Sequence, residues 1–115
     1  MASGRSSKNK GSNAEREMVK ILQEAGFDAE RTLFQPDPEN PRADLRTNIN
    51  HTSWEIKRVE KLNFWSAIAQ SEKAAGEKNN SVMCFRRNRE PWRVVISLDY
   101  YLDLIKKSGE TNPYF

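Results

Sequence analysis

The chain has 115 residues, enough for one domain with a single core and too few for two. Hydrophobic residues make up 37% and charged residues 30%, a lean composition, yet three Trp, three Tyr and five Phe are too many aromatics for a wholly disordered chain. The formal net charge is only +3, but basic residues gather at 5–10, 57–61 and 86–93, which permits a polyanionic partner without requiring one.

Cys84 is the only cysteine, which excludes an intrachain disulfide and a cysteine-based zinc site. His51 is the only histidine, which removes histidine-cluster metal sites and argues against a Ser-His-Asp triad. No apolar run approaches the ~20 residues a membrane span needs, and no signal-peptide pattern opens the chain. The expectation is a soluble protein of a reducing cytoplasm. Any metal would need oxygen ligands, which suits Mg²⁺ or Mn²⁺.

Residues 1–12 are polar, basic and rich in Ser and Gly, and read as a flexible arm. From Ala14 the apolar residues fall at 14, 18, 21, 22 and 25, a helical stripe that Ser12 or Asn13 caps and Gly26 closes. Phe27 to Leu33 reads as a first strand. Pro36, Pro38 and Pro41 make 34–42 a loop. Ala43-Asp44-Leu45-Arg46 and Thr52-Ser53-Trp54-Glu55-Ile56-Lys57 read as a β-hairpin turning near Ile49–Asn50. Asn63 caps a helix of about 64–76 closed by Gly76, and Ser81–Phe85 and Trp92–Ser97 are strands separated by an arginine-rich loop. A last helix covers about 98–107. The order is α-β-β-β-α-β-β-α, an α/β domain of residues 13–107 with a short tail at 108–115.

Strand alternation puts Trp54 and Ile56 on one face, Glu55 and Lys57 on the other, the latter two roughly 6.6 Å apart at Cα. With the turn at Ile49–Asn50, cross-strand residues sum to about 99 or 100, so Asp44 stands opposite Glu55 or Ile56. An Asp and a Glu on adjacent strands are hard oxygen ligands of the kind Mg²⁺ takes. On the first helix, Glu15 is seven residues from Leu22 and only ~20° out of line with it, beside the buried stripe. Glu17, about 200° further round, is expected in solvent. An acid facing the sheet is costly unless it is paired or binds a cation.

Gly11-Ser12-Asn13-Ala14-Glu15-Arg16-Glu17, then Ala25-Gly26-Phe27, Arg31, Asp44 and Glu55-Ile56-Lys57, resembles in content and order the archaeal-type Holliday junction resolvases. Small phage-encoded nucleases are similar too, including the Gln70 helix and Arg86-Arg87-Asn88-Arg89 before Trp92. The resemblance covers about residues 11–105. It implies a single-domain PD-(D/E)xK core: a mixed sheet of about five strands flanked by helices, hydrolysing DNA phosphodiesters with one or two metal ions. It also implies branched DNA as substrate and a homodimer. Glu15, Asp44, Glu55 and Lys57 would carry the chemistry with Gln70 nearby, and Asp44, Glu55, the Ile56 carbonyl and Glu15 would surround the metal. The usual Pro-Asp is Ala43-Asp44 here, while a literal Pro36-Asp37 lies upstream between two prolines, which suits a loop; Asp44 is therefore taken as the motif aspartate. The glycine usual in the preceding loop is missing from 34–42.

Lys8, Lys10, Arg16, Arg31, Arg46, Arg58, Lys61, Arg86, Arg87 and Arg89 are expected to contact the DNA backbone without reading sequence. Trp54, Trp65 and Trp92 are read as core, Cys84 as a small buried filler, and His51 as a polar surface residue in a turn. Phe64, Trp65, Tyr100, Tyr101 and Tyr114-Phe115 exceed what one small core needs and are offered to a dimer. Two alternatives stay open: a non-catalytic nucleic-acid-binding module on this fold, or a phage DNA-processing or nicking nuclease.

Overall fold

The structure, a computed structural model, describes the backbone of residues 4–32 and 43–115, and the side chains within those ranges from Gly11 onward. Eight elements follow in order: α1 (Gly4–Glu24), β1 (Ala29–Arg31), β2 (Leu45–Thr47), β3 (Thr52–Arg58), α2 (Phe64–Ala75), β4 (Asn80–Arg86), β5 (Arg93–Val95) and α3 (Leu98–Ser108). This is the order expected from the sequence. The strands form one mixed sheet, β1-β2-β3-β4-β5, parallel only between β3 and β4. A parallel pair needs a crossover, and α2 supplies it.

The two faces of the sheet are covered differently. Trp54 and Ile56 of β3 and Val82 and Cys84 of β4 form one core with Ala14, Met18 and Leu22 of α1, joined by Ala29 and Leu45. The other face carries Ser53, Glu55 and Lys57, and α2 packs there. Its Ser71 is hydrogen-bonded to Ser81, and the Phe64 ring stands edge-on to Phe85 with centroids 5.4 Å apart. Small residues at the α2 contact (Ala67, Ser71, Ala75) let the helix lie close over Met83, which is almost fully buried. Cys84 is fully buried, as expected of a filler.

Local signals account for the element ends. Asn63 accepts a hydrogen bond from the Ser66 amide, and Ser97 accepts one from Tyr100, so two helix starts carry side-chain caps. Gly26 closes α1 at φ 96°, a conformation that favours glycine. His51 lies exposed in the hairpin turn, as expected.

Two expectations are corrected here. The helix read from Ala14 begins at Gly4, so most of the supposed arm is helical backbone. No proline interrupts 4–24, and a helix already nucleated by packing extends at little cost per residue. Trp65 is not core: it is 79% exposed. It lies two residues from Ala67, about 200° around α2 from the side that meets the sheet. Leu33, the proline loop and Asp37 lie outside the described residues.

Glu17 also departs from expectation. Trp92 Nε1 donates to it at 2.9 Å and Arg86 Nη2 at 3.1 Å, with Arg58 at 3.6 Å. Acids at 15 and 17 sit roughly 60° and 100° to either side of the Ala14–Met18–Leu22 stripe, so each reaches a different edge of the sheet. Burial works to raise the Glu17 pKa, but the bonds from Arg86 and Trp92 and the charges of Arg86 and Arg58 outweigh it and leave the carboxyl below its ordinary range. A depressed carboxyl stabilises the fold above its unfolded pKa, and that contribution is lost as pH falls through the folded value. Glu17→Ala should therefore cost about 1–3 kcal/mol at pH 7 by stranding two half-buried arginines. Urea unfolding should show the loss shrinking below about pH 4.5; a loss under ~0.5 kcal/mol at pH 7 would mean that the contacts are idle.

Candidate active site

The chemistry-bearing residues converge where β2 meets β3. The register pairs Leu45 with Trp54, a sum within the expected range, and the Asp44 amide donates to the Trp54 carbonyl at 2.8 Å. This sets Asp44 beside Glu55. The Asp44 side chain is fixed as well: its Oδ2 accepts the Ile56 amide at 2.8 Å, a bond a carboxylate forms strongly. Thr32 closes the other side, its amide and hydroxyl donating to the Asp44 carbonyl.

Glu55 and Asp44 stand close enough to act on each other, and the pairing leaves a mark on the titration of Glu55. Burial, then the charge and hydrogen bond of Asp44, push its pKa from the ordinary 4.5 up to about 8; Lys57 pulls the other way, and Glu15 adds to the rise. Two carboxyls at this separation cannot both ionise cheaply. Lys57 follows on the same face, registered against Phe85 of β4.

Glu15 lies across the sheet with α1. It accepts from Arg31 Nε at 2.9 Å, while Arg31 Nη2 donates to Ser12. Burial raises the pKa of Glu15, the Arg31 bond pulls it back, and the nearby Asp44 charge adds to the rise. Glu15 thus acts on the pair as a charge. Among the described residues no three His, Cys, Asp or Glu side chains gather as a set able to hold a metal. The reason is the layering: α1 packs on the opposite face from Glu55. Gln70 is exposed on α2 and is not among the groups acting on Glu55.

The donor set nonetheless fits a hard divalent ion. Mg²⁺ is commonly bound through one or two carboxylates, with waters and substrate phosphate oxygens completing the shell. Neighbouring carboxyls that repel one another are relieved when a cation lies between them.

Among the residues expected to touch DNA, Arg31 is only 7% exposed, with Nε bonded to Glu15 and Nη2 to Ser12. Arg86, expected in a loop, ends β4 and is held between Glu17 and the Trp92 ring, 5.3 Å from its centroid. Arg58 shares Glu17, and Arg46 pairs with Glu30 at 3.4 Å. Arg16, Lys61, Arg87 and Arg89 are exposed. The side chains of Lys8 and Lys10 lie outside the described residues. The network around Glu17 was missed because helical phase alone places that residue away from the stripe; Trp92 and Arg86 reach it from the far end of the sheet.

Because Glu55 binds its proton more tightly when folded, its stabilising effect is full below about pH 4.5 and is lost as pH rises to about 8. In chelator, Glu55→Gln should match the wild type near pH 5 and exceed it at pH 8.5. The gain should be about 1 kcal/mol once solvent screening of this half-buried group is discounted, or roughly 4 °C in Tm. Equal melting temperatures at both pH values would show that the two carboxyls do not repel.

No protein-family model matches the chain, and no curated protein matches it in sequence. Among solved structures it is similar to Hjc, a Holliday junction resolvase from Archaeoglobus fulgidus, whose structure is known at 1.6 Å resolution. The match covers 90% of this chain and 98% of that one at 16% identity, with a TM-score of 0.49. Chemistry does not follow from a likeness of that degree and has to come from the residues themselves.

Proposed function

We propose that the chain is a metal-dependent endonuclease that hydrolyses phosphodiester bonds in branched DNA. The observation that carries the reading is the Asp44–Glu55 pair with Lys57 on the same face. Asp44, Glu55 and the Ile56 carbonyl would hold Mg²⁺ or Mn²⁺. When bound, such an ion supplies a water of lowered pKa and an electrophile for the phosphate. Lys57 then balances negative charge building on the phosphate, or orients the attacking water. Asp44 is held in place by the Ile56 amide, and Glu15, tied to Arg31, adds negative potential from across the sheet. Arg16, Lys61, Arg87 and Arg89 would take the flanking phosphates through charge alone.

A four-way junction needs two nicks, and a chain this small offers one site; a two-fold dimer would supply both. The surface that fits is α3 with β5. No residue of α3 is buried, and Leu98 (69% exposed), Tyr101 and Leu102 are exposed, as is Val94 of the edge strand. An apolar helix left in water is the kind of face that a second copy covers. Light scattering should give twice the 13.3 kDa of one chain, and Leu98→Ser with Leu102→Ser should return it to one. A monomer at micromolar concentration, with and without junction DNA, would remove the dimer.

Cleavage decides the chemistry. In Mg²⁺, four-way DNA should be cut in preference to linear duplex, and Asp44→Asn or Glu55→Gln should lower the rate at least about a hundredfold while DNA still binds. Asp37→Asn should stay active; if it dies while Asp44→Asn survives, the metal site is built on the other aspartate. Binding without cutting, unchanged by Mg²⁺, would leave a non-catalytic module in place of the enzyme.

A further inference from the structure

Next to Lys57 the surface opens into a pocket of about 210 Å³ between the start of α2 and the ends of β4 and β5. Phe64, Phe85 and Leu62 line it together with Lys57, Arg87 and Arg93, and Glu60 and Glu90 also belong to the lining; Arg87 and Arg93, more than half exposed, stand at its mouth. Trp65 extends the aromatic surface outward, its ring edge-on to Phe64 with centroids 6.0 Å apart. A core cavity of about 150 Å³ takes one benzene, so this volume suits one flat heterocycle. The cations at the mouth suit the phosphates on either side of it. Arg87 and Arg93 are 63% and 55% exposed in their side chains and share Glu90 at 3.7 and 3.8 Å. Pairs this open are worth little and exchange readily for a phosphate.

We propose that this pocket binds an unpaired nucleobase, stacked against Phe64 and Trp65, in the strand whose backbone runs past Lys57. The inference rests on the endonuclease reading and sharpens its substrate: single-stranded or splayed nucleotides beside the cleavage point. A base inside a duplex is paired and stacked on both faces and cannot enter. Stacking on an aromatic ring is open to any base, since each presents a π-face. It also accounts for an aromatic residue at 65, where packing does not call for one. Phe64 and Trp65, offered by the sequence to a dimer, serve the base in this proposal.

The test is a binding measurement in EDTA, where no cleavage enters. A labelled oligothymidylate of about ten nucleotides and a hairpin duplex of equal length are titrated with the full chain. The single strand should bind at least about tenfold more tightly than the duplex, in line with one base–aromatic stack, and it should quench tryptophan fluorescence. Phe64→Leu, which keeps the apolar filling but removes the ring, should reduce the preference for single strand about tenfold, within the range for loss of one base–aromatic stack. Trp65→Phe should abolish most of the quenching while retaining binding, and Trp65→Ala should weaken the single strand. The exposed position makes these substitutions safe for folding should Phe64→Leu misfold. Equal affinity for duplex and single strand, or an unchanged preference when either ring is removed, overturns the proposal. Cleavage of junction DNA in Mg²⁺ without a single-strand preference would leave the nuclease standing and remove the base pocket. A ring-dependent preference with no cleavage under any condition would do the reverse.

Discussion

The pairing of β2 with β3 fixes two carboxyls against each other, and the properties of the site descend from that contact. Leu45 opposes Trp54, so Asp44 comes down beside Glu55 and takes the Ile56 amide. A slip of one residue would turn Glu55 and Lys57 toward α1 and Trp54 and Ile56 toward α2, destroying a core and a site together. The hydrophobic core therefore enforces the geometry of the acids. Left to themselves the two carboxyls repel, and the chain answers by holding a proton on Glu55 up to about pH 8. Such an arrangement lowers stability, as strained functional sites commonly do.

Charge elsewhere is spent on holding α1. Glu15 takes Arg31 on one side of the helix, and Glu17 takes Arg58, Arg86 and Trp92 on the other. The buried stripe between them sets how α1 lies on the sheet, and the two acids limit how it rolls. This divides the basic residues into two groups. Arg31, Arg58 and Arg86 are paired with the acids of α1, while Arg16, Lys61, Arg87 and Arg89 are exposed. A count of basic residues along the chain cannot separate these groups, because the separation depends on which acids come within reach after folding.

Much of the site was legible because it is local. Asn63 and Gly76 mark the ends of α2 by capping chemistry that works within four residues. The Asp44–Glu55 contact follows from one turn length and a side-chain period of two. The phase of Glu15 follows from 3.6 residues per turn. What escaped reading is long-range. Glu17 meets Trp92 and Arg86, about seventy residues on in sequence, through the width of the sheet. Trp65 reads as core by type, but helical phase relative to Ala67, Ser71 and Ala75 turns it outward. The start of α1 escaped for a different reason: Ser12 and Asn13 read as caps, yet Ser, Asn and Lys also tolerate a helix interior, and the helix runs back through them to Gly4.

Asp44 and Glu55 together should make one hard-cation site per chain, and calorimetric titration with Mn²⁺ examines that directly, without DNA or turnover. Wild-type protein should bind one ion for each intact Asp44–Glu55 pair. Asp44→Asn and Glu55→Gln should each lose that binding while keeping the far-ultraviolet circular dichroism of the parent. Wild-type protein that takes up no Mn²⁺ at millimolar concentration, or variants that bind it as the parent does, would contradict the account at its centre.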